Sequence, residues 1–195
     1  MKGILLVNMG SPVSEEDMKF FLNNMFMDKS ILPLPLMIRK FVSSKIASKR
    51  YKNSWLKYEK IGGSPLLSAM DKICSNLNLV LGNDFVVKCA YSYSNPQITN
   101  TLNEFKNMGI NNICVIPAYP FYSISTTGSI INDINKFIKK NKEINIKIID
   151  EYFFDEYFVK FWQTLVENTV IRNNFTNPHL LFSAHSIPYF HIKND

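Results

Sequence analysis

Apolar residues follow two alternating patterns along this chain. Five short, nearly continuous apolar runs are typical of buried strands and occupy residues 3–8, 85–91, 112–117, 144–149 and 179–183. In the segments between these runs, apolar residues recur every three or four positions, which is the spacing of an amphipathic helix. The chain is therefore predicted to alternate strands and helices in the order β-α-β-α-β-α-β-α-β.

Capping residues indicate where several of the helices begin. Ser14, with Asp17 three residues later, resembles a capping box, and Ser64 is a good N-cap in front of Pro65. Helices are predicted over residues 14–27, 46–61, 64–82, 95–109, 129–141 and 155–174.

Residues 26–41 do not fit either pattern. Pro33 and Pro35 interrupt the segment, which is therefore predicted to be irregular, or a short broken helix, with exposed apolar side chains. Its apolar run, residues 31–38, is the longest of the chain, yet its eight residues are far fewer than the ~20 that cross a bilayer. Because the apolar run at residues 4–7 is also too short for a secretory signal, we expect a cytoplasmic protein.

The alternation predicts an α/β fold, namely a doubly wound parallel sheet with helices on both faces. Ligands of such sheets bind beyond the carboxyl ends of the strands, where the strand order reverses. Three unusual segments follow predicted strands: residues 8–10, residues 119–129 and residues 184–186. We therefore expect these segments to meet at one edge of the sheet and to form the binding site there.

Composition and charge narrow the class of protein. A chain of 195 residues with 46% hydrophobic and 19% charged residues forms a folded globule rather than a disordered segment or a coiled coil. The three cysteines are an odd number without metal-binding spacing, and they are expected to be reduced core residues. The net charge is +6, and eight of the basic residues lie between Arg39 and Lys60 with a single acid, Glu59. This segment is either a solvated helix face or a surface for a membrane, a carboxylated ligand or nucleic acid.

Residues with possible chemistry lie in the same post-strand segments. His185 directly follows the last predicted strand and is either a proton acceptor, a metal ligand or a hydrogen-bonded structural histidine. The hydroxyl-rich loop at residues 119–129 precedes a helix and could stabilise an anion, although ordinary capping by its Ser and Thr residues is the favoured interpretation. No glycine-rich phosphate-binding motif is present, and no cluster has the spacing of a closed zinc site.

Five motifs, in this order along the chain, resemble the ferrochelatase family, whose members insert ferrous iron into a porphyrin. They are LLVNMGSP at residues 5–12, FLNNMFMDKSILPLP at 21–35, YEKIGGSPL at 58–66, YPFYSISTTGS at 119–129 and LLFSAHSIP at 180–188. The fourth and fifth motifs are the most specific, whereas the Gly-Gly-Ser-Pro turn alone would be weak. The resemblance covers the whole chain.

The resemblance implies roles for particular residues. His185 matches the active-site histidine of the family, as proton acceptor or metal ligand, and Met9 matches a residue beside the centre of the macrocycle. Some relatives carry a tyrosine at the position of Val13, so that possible iron ligand is absent here. The resemblance also implies contacts with the porphyrin and its propionates, and a pocket-lining loop, at Arg50, Tyr58, Ser64, Tyr122 and Ser123.

The implied function is the insertion of Fe²⁺, as substrate, into protoporphyrin IX, with no prosthetic group. Residues 26–41 resemble the hydrophobic lip through which the family meets a membrane, so an anionic membrane surface is an expected peripheral partner and nucleic acid is not. Because the family has a second lobe that supplies a glutamate opposite the histidine, residues 1–195 are expected to be the N-terminal lobe of an incomplete chain and to have little activity alone. Two alternatives remain: a non-catalytic tetrapyrrole- or anion-binding half, and a chelatase for coproporphyrin or another metal.

Overall fold

Four parallel strands form the centre of the protein in a computed structural model that describes residues 1–186. The strands are β1 (Lys2–Asn8), β2 (Phe85–Tyr91), β3 (Asn112–Pro117) and β4 (Asn145–Ile148), and their order in the sheet is β2-β1-β3-β4. Every neighbouring pair is parallel. The chain moves outward from β1 to β2 and then crosses to the other side of β1, so the strand order reverses between β1 and β3.

Six α-helices accompany the sheet within residues 1–186. They are α1 (Glu15–Met27), α2 (Leu36–Lys60), α3 (Leu66–Leu81), α4 (Ile98–Asn107), α5 (Ser129–Ile138) and α6 (Glu156–Arg172). The Oγ of Ser14 accepts a hydrogen bond from the Asp17 amide at 3.1 Å, which confirms the predicted cap of α1. Within residues 1–186, no helix is both long and apolar enough to cross a membrane.

Side chains alternate across β1 and divide the core into two layers. Leu5 and Val7 pack on one face against α4 and α5, where Leu102, Phe105 and Ile134 are fully buried. Leu6 packs on the other face against α3. The predicted doubly wound sheet with helices on both faces is therefore confirmed.

A third apolar cluster lies between α1 and α2. Met18, Phe21 and Leu22 of α1 pack with Ala47 of α2, and Tyr93, from the loop after β2, completes the cluster. The ring of Phe21 meets that of Tyr93 edge to face, with centroids 6.0 Å apart. This cluster fixes α1 and α2 over the carboxyl end of the sheet, because Tyr93 follows β2 by two residues.

Two predictions about the elements are wrong. Residues 26–41 are not irregular throughout, because α2 already begins at Leu36, directly after Pro35. Proline lacks an amide hydrogen only at its own position, so it can precede a first helical turn without loss. The helix predicted at 46–61 is therefore the second half of a helix of 25 residues.

The predicted fifth strand at residues 179–183 does not form. This segment pairs with no strand, and the side chains of Leu181 and Phe182 are 94% and 88% exposed. Asn174 and Asn177 have positive φ and turn the chain after α6, which itself has no buried residue. A short apolar run becomes a strand only where a neighbouring strand and covering side chains meet it, and the described residues supply neither here.

Candidate functional site

A cavity of about 610 Å³ opens at the carboxyl ends of β1 and β3, where the strand order reverses. This volume is within the range of roughly 300–1,000 Å³ that holds small-molecule ligands. Its walls are almost entirely apolar or aromatic, with a few hydroxyls and one imidazole. Its lining residues include Met9, Met25, Ile31, Tyr93, Tyr119, Phe121, Tyr122, Ser123, Thr126 and His185.

The buried side chain of Asn8 holds together the two chain segments that form the cavity floor. Its Oδ1 accepts hydrogen bonds from the Met9 amide at 2.7 Å and from the Tyr119 hydroxyl at 3.2 Å. The first bond orients the turn after β1, and the second ties that turn to the loop after β3. Burial raises the pKa of Tyr119 to about 12, so the hydroxyl stays protonated and remains a donor.

The loop after β3 owes its shape to Ser123. The backbone carbonyl of Ser123 accepts hydrogen bonds from the amides of Thr126 and Gly128, and its Oγ accepts one from the Ser125 amide. These bonds form a single π-helical turn, residues 124–128, that continues into α5. The predicted capping by loop hydroxyls is therefore present, and it leaves the half-exposed ring of Tyr122 on the cavity wall.

Asp28 does not line the cavity, but its carboxylate holds the lining residue Tyr93 in place. It accepts hydrogen bonds from the Tyr93 hydroxyl at 2.8 Å, from the Ser129 hydroxyl and from the Ser30 amide at 2.8 Å. Burial and the negative charge of Asp28 together raise the pKa of Tyr93. Tyr93 thus remains a neutral donor, and its ring is fixed in place between the cavity and α1.

His185 reaches the cavity from the exposed segment that follows α6. Its imidazole lines the cavity together with Ser186, and its Nδ1 lies 2.6 Å from the Ser186 carbonyl oxygen. A carbonyl only accepts, so this contact places a proton on Nδ1, and in the neutral form of the ring Nε2 is then the acceptor. Within residues 1–186, no three His, Cys, Asp or Glu side chains are grouped to hold a metal ion.

Four of the seven predicted site residues meet at this cavity: Met9, Tyr122, Ser123 and His185. The other three do not line it. Arg50 is exposed on α2, Tyr58 packs against the α1–α2 cluster, and the Ser64 Oγ accepts a hydrogen bond from the Leu66 amide at 3.3 Å. Their contacts with porphyrin stay predictions, as do the roles of the four lining residues. Residues 187–188 of the last motif lie outside the described residues.

Sequence reasoning placed Asn8 in a segment expected at the site, but it missed Tyr93 and Asp28. Tyr93 could have been found, because it follows β2 as Met9 follows β1, and the carboxyl end of every parallel strand reaches the same edge. Asp28 had no such signal, since its partners Tyr93 and Ser129 are 65 and 101 residues away in the chain.

Comparison with known proteins identifies the family of the chain. A model of the ferrochelatase family matches residues 1–195. The chain belongs to the ferrochelatase family. It is 35% identical to a ferrochelatase of Aquifex aeolicus, covering 96% of this chain and 60% of that protein. It is 34% identical to a ferrochelatase of Rickettsia bellii, over 95% of this chain and 52% of that protein. It is 31% identical to chloroplastic ferrochelatase-2 of Cucumis sativus, over 98% of this chain and 40% of that protein. The chain thus spans about half to three-fifths of the two bacterial relatives.

The turn after β1 in this ferrochelatase-family chain depends on a glycine. Gly10 has a φ of +90°, and a Cβ there would lie 2.6 Å from both Cβ and Oγ of Ser94. Gly10→Ala should therefore lower the free energy of unfolding by about 1–3 kcal/mol more than a Gly→Ala change at a glycine that has a positive φ but open space around it. Gly109→Ala is the matched control, because Gly109 has a φ of +72° and a Cβ added there would meet no atom within 4 Å. Urea unfolding of both variants measures the difference, and equal losses would contradict a close approach at Gly10.

The raised pKa of Tyr119 leads us to expect a specific dependence of stability on pH. Its folded-state pKa of about 12 lies above its ordinary value of 10.0, because burial disfavours the phenolate. The stabilisation from neutral Tyr119 is therefore complete below pH 10.0 and is lost as the pH rises towards about 12. Urea unfolding across this window should show a steeper loss of stability in the wild type than in Tyr119→Phe. Parallel losses would show that Tyr119 titrates normally.

Proposed function

We propose that this protein acts in haem biosynthesis by inserting ferrous iron into protoporphyrin IX. The observation that carries the proposal is the cavity at the strand-order reversal, where Met9, Tyr122 and His185 line a largely apolar space. A porphyrin is a flat apolar disc with carboxylate arms, so it needs apolar and aromatic walls around its faces. Family membership supports metal insertion as the reaction class.

Metal insertion requires the removal of two protons from the macrocycle. Two pyrrole nitrogens carry hydrogen in the free porphyrin, and Fe²⁺ replaces both hydrogens, so each turnover releases two protons. Bending the ring exposes the nitrogen lone pairs, at a strain of roughly 1–5 kcal/mol drawn from binding the edges of the ring. An imidazole at the cavity wall is suited to accept these protons, and Nε2 of His185 is the nitrogen with a free lone pair.

The hydrophobic lip, residues 26–41, is suited to admit an apolar substrate from a membrane. Ile31 lines the cavity, whereas Met37 and Phe41, on the first turns of α2, are 77% and 69% exposed. The lip thus runs from the cavity to an apolar surface. The lysines that follow on α2 would place positive charge beside an anionic lipid surface, which supports a peripheral membrane contact.

His185→Ala tests the proposed proton acceptor. In the full-length protein, this change should lower the rate of ferrous iron insertion by about 100-fold or more, because general-base catalysis contributes at least that factor. Porphyrin binding, followed by the shift of its Soret band, should persist. His179→Ala is the control, since His179 lies in the same exposed segment and does not line the cavity.

Two results would count against this reaction. Full insertion activity in His185→Ala would remove the imidazole from the mechanism. A Soret shift without any insertion in the wild-type protein would instead favour a tetrapyrrole-binding function.

Replacing apolar lip residues tests the membrane contact. The triple variant Leu36→Ser, Met37→Ser and Ile38→Ser should weaken binding to vesicles that contain phosphatidylglycerol, because each residue is at least 52% exposed and available to lipid. The double variant Leu79→Ser and Val80→Ser removes apolar side chains of α3 that are even more exposed, and it should leave binding unchanged. Cosedimentation measures both, and equal weakening would contradict a specific role of the lip.

A further inference from the structure

A second cavity, of about 470 Å³, lies on the other side of Tyr93. Ser92 and Tyr93 line both cavities, but the two spaces differ in chemistry. The first is lined mainly by apolar and aromatic side chains, whereas the second is lined mainly by charged groups, amides and hydroxyls. The charged residues of the second cavity are Asp28, Lys29, Arg39, Asp133 and Lys136.

Both carboxylates of this cavity already have partners. Asp28 accepts three hydrogen bonds, from the Tyr93 and Ser129 hydroxyls and from the Ser30 amide. Asp133 forms an ion pair with Lys136 at 2.8 Å. The oxygens of both carboxylates are therefore satisfied, although Asp28 keeps its negative charge because its three donors are neutral.

Lys29 and Arg39, the other two cations of the lining, have no ion-pair partner among the described residues. Arg39 is partly buried, and its Nη1 donates to the Leu34 carbonyl oxygen at 3.2 Å, but its Nε is buried without a partner among residues 1–186. Neither Arg39 nor Lys29 forms an ion pair with a described carboxylate. A partly buried guanidinium is normally paired, because removing charge from water is costly. The amide side chains of Gln97 and Asn132 add further hydrogen-bond donors to the lining.

We propose that this cavity binds a small free oxyanion, a metabolite that carries carboxylate or phosphate groups. The lining carries three cations and two carboxylates, so its net charge is positive and the complementary ligand is an anion. Arg39, whose buried Nε has no partner among the described residues, has the forked donors that suit a carboxylate or phosphate. A metal ion is disfavoured, since the part of the chain described contains no group of three acidic, His or Cys side chains suited to one. This site is separate from the porphyrin cavity and does not depend on the proposed reaction.

Calorimetric titration of the protein with citrate, and separately with inorganic phosphate, tests the site. Ionic strength is held constant with sodium chloride, so that only specific binding gives a saturable signal. Saturable binding of either probe is expected, and the probe that binds more tightly identifies the ligand class. Arg39→Gln should weaken this binding by about tenfold or more, because it removes a charge-assisted hydrogen-bond donor.

Lys49→Gln is the matched control, since Lys49 is an exposed cation of the same helix that does not line the cavity. It should leave citrate and phosphate binding unchanged. Far-ultraviolet circular dichroism checks that both variants fold, and Arg39→Lys, which keeps the charge, should bind more tightly than Arg39→Gln. No saturable binding to the wild-type protein, or equal weakening in Arg39→Gln and Lys49→Gln, would overturn the proposal.

A porphyrin titration distinguishes two possible ligands of the polar cavity: a free anion, and the carboxylate arms of a macrocycle bound in the adjoining cavity. Arg39→Gln should leave the Soret shift of added protoporphyrin unchanged while it weakens citrate or phosphate binding. Weakening of porphyrin binding by the same factor would assign the cavity to the macrocycle and overturn the proposal of a free ligand. Loss of anion binding with normal porphyrin binding would support the proposal whatever reaction the protein catalyses.

Discussion

The hydrogen bonds of one buried amide side chain hold the whole site together. Asn8 ends the central strand β1, and its Oδ1 accepts from both the Met9 amide and the Tyr119 hydroxyl. Since β1 and β3 are neighbours in the sheet, this oxygen joins the two turns between which the cavity opens. The raised pKa of Tyr119 keeps the second donor protonated, so the join persists over the whole neutral range. Met9 and the lining residues of the loop after β3 lie in these two turns.

Tyr93 divides the space above the sheet into two cavities of opposite character. Its ring packs against Phe21 of α1, and its hydroxyl binds Asp28. The apolar cavity on one side suits a flat hydrophobic substrate, and the polar cavity on the other side has unmatched positive charge at Arg39. A single buried tyrosine can form this boundary because its body is apolar and its hydroxyl is polar.

Two of the exposed apolar surfaces within residues 1–186 differ in their surroundings. The first turns of α2 are apolar beside the cavity and are followed by lysines, which supports a lipid contact. The helix α6 instead exposes Phe161 and Trp162 far along the chain from the lip, and it has no buried residue. Exposed apolar patches of this kind mark contacts with another protein surface, a membrane or a ligand, and α6 has no run of lysines beside it like that of α2.

Local patterns of residues were enough to establish the α/β class, the four strands of the sheet and the edge at which Met9, Tyr122 and Ser123 meet. These features follow from short-range periodicity and from the rule that parallel strands present their carboxyl ends together. His185 reaches the same cavity, but from a segment that is not a strand. Three other features emerge only from the folded chain: residues 179–183 form no strand, α2 begins at Leu36, and Asp28 binds Tyr93 and Ser129. Strand pairing and long-range hydrogen bonds depend on partners distant in the chain, and no local pattern of residues encodes where those partners lie.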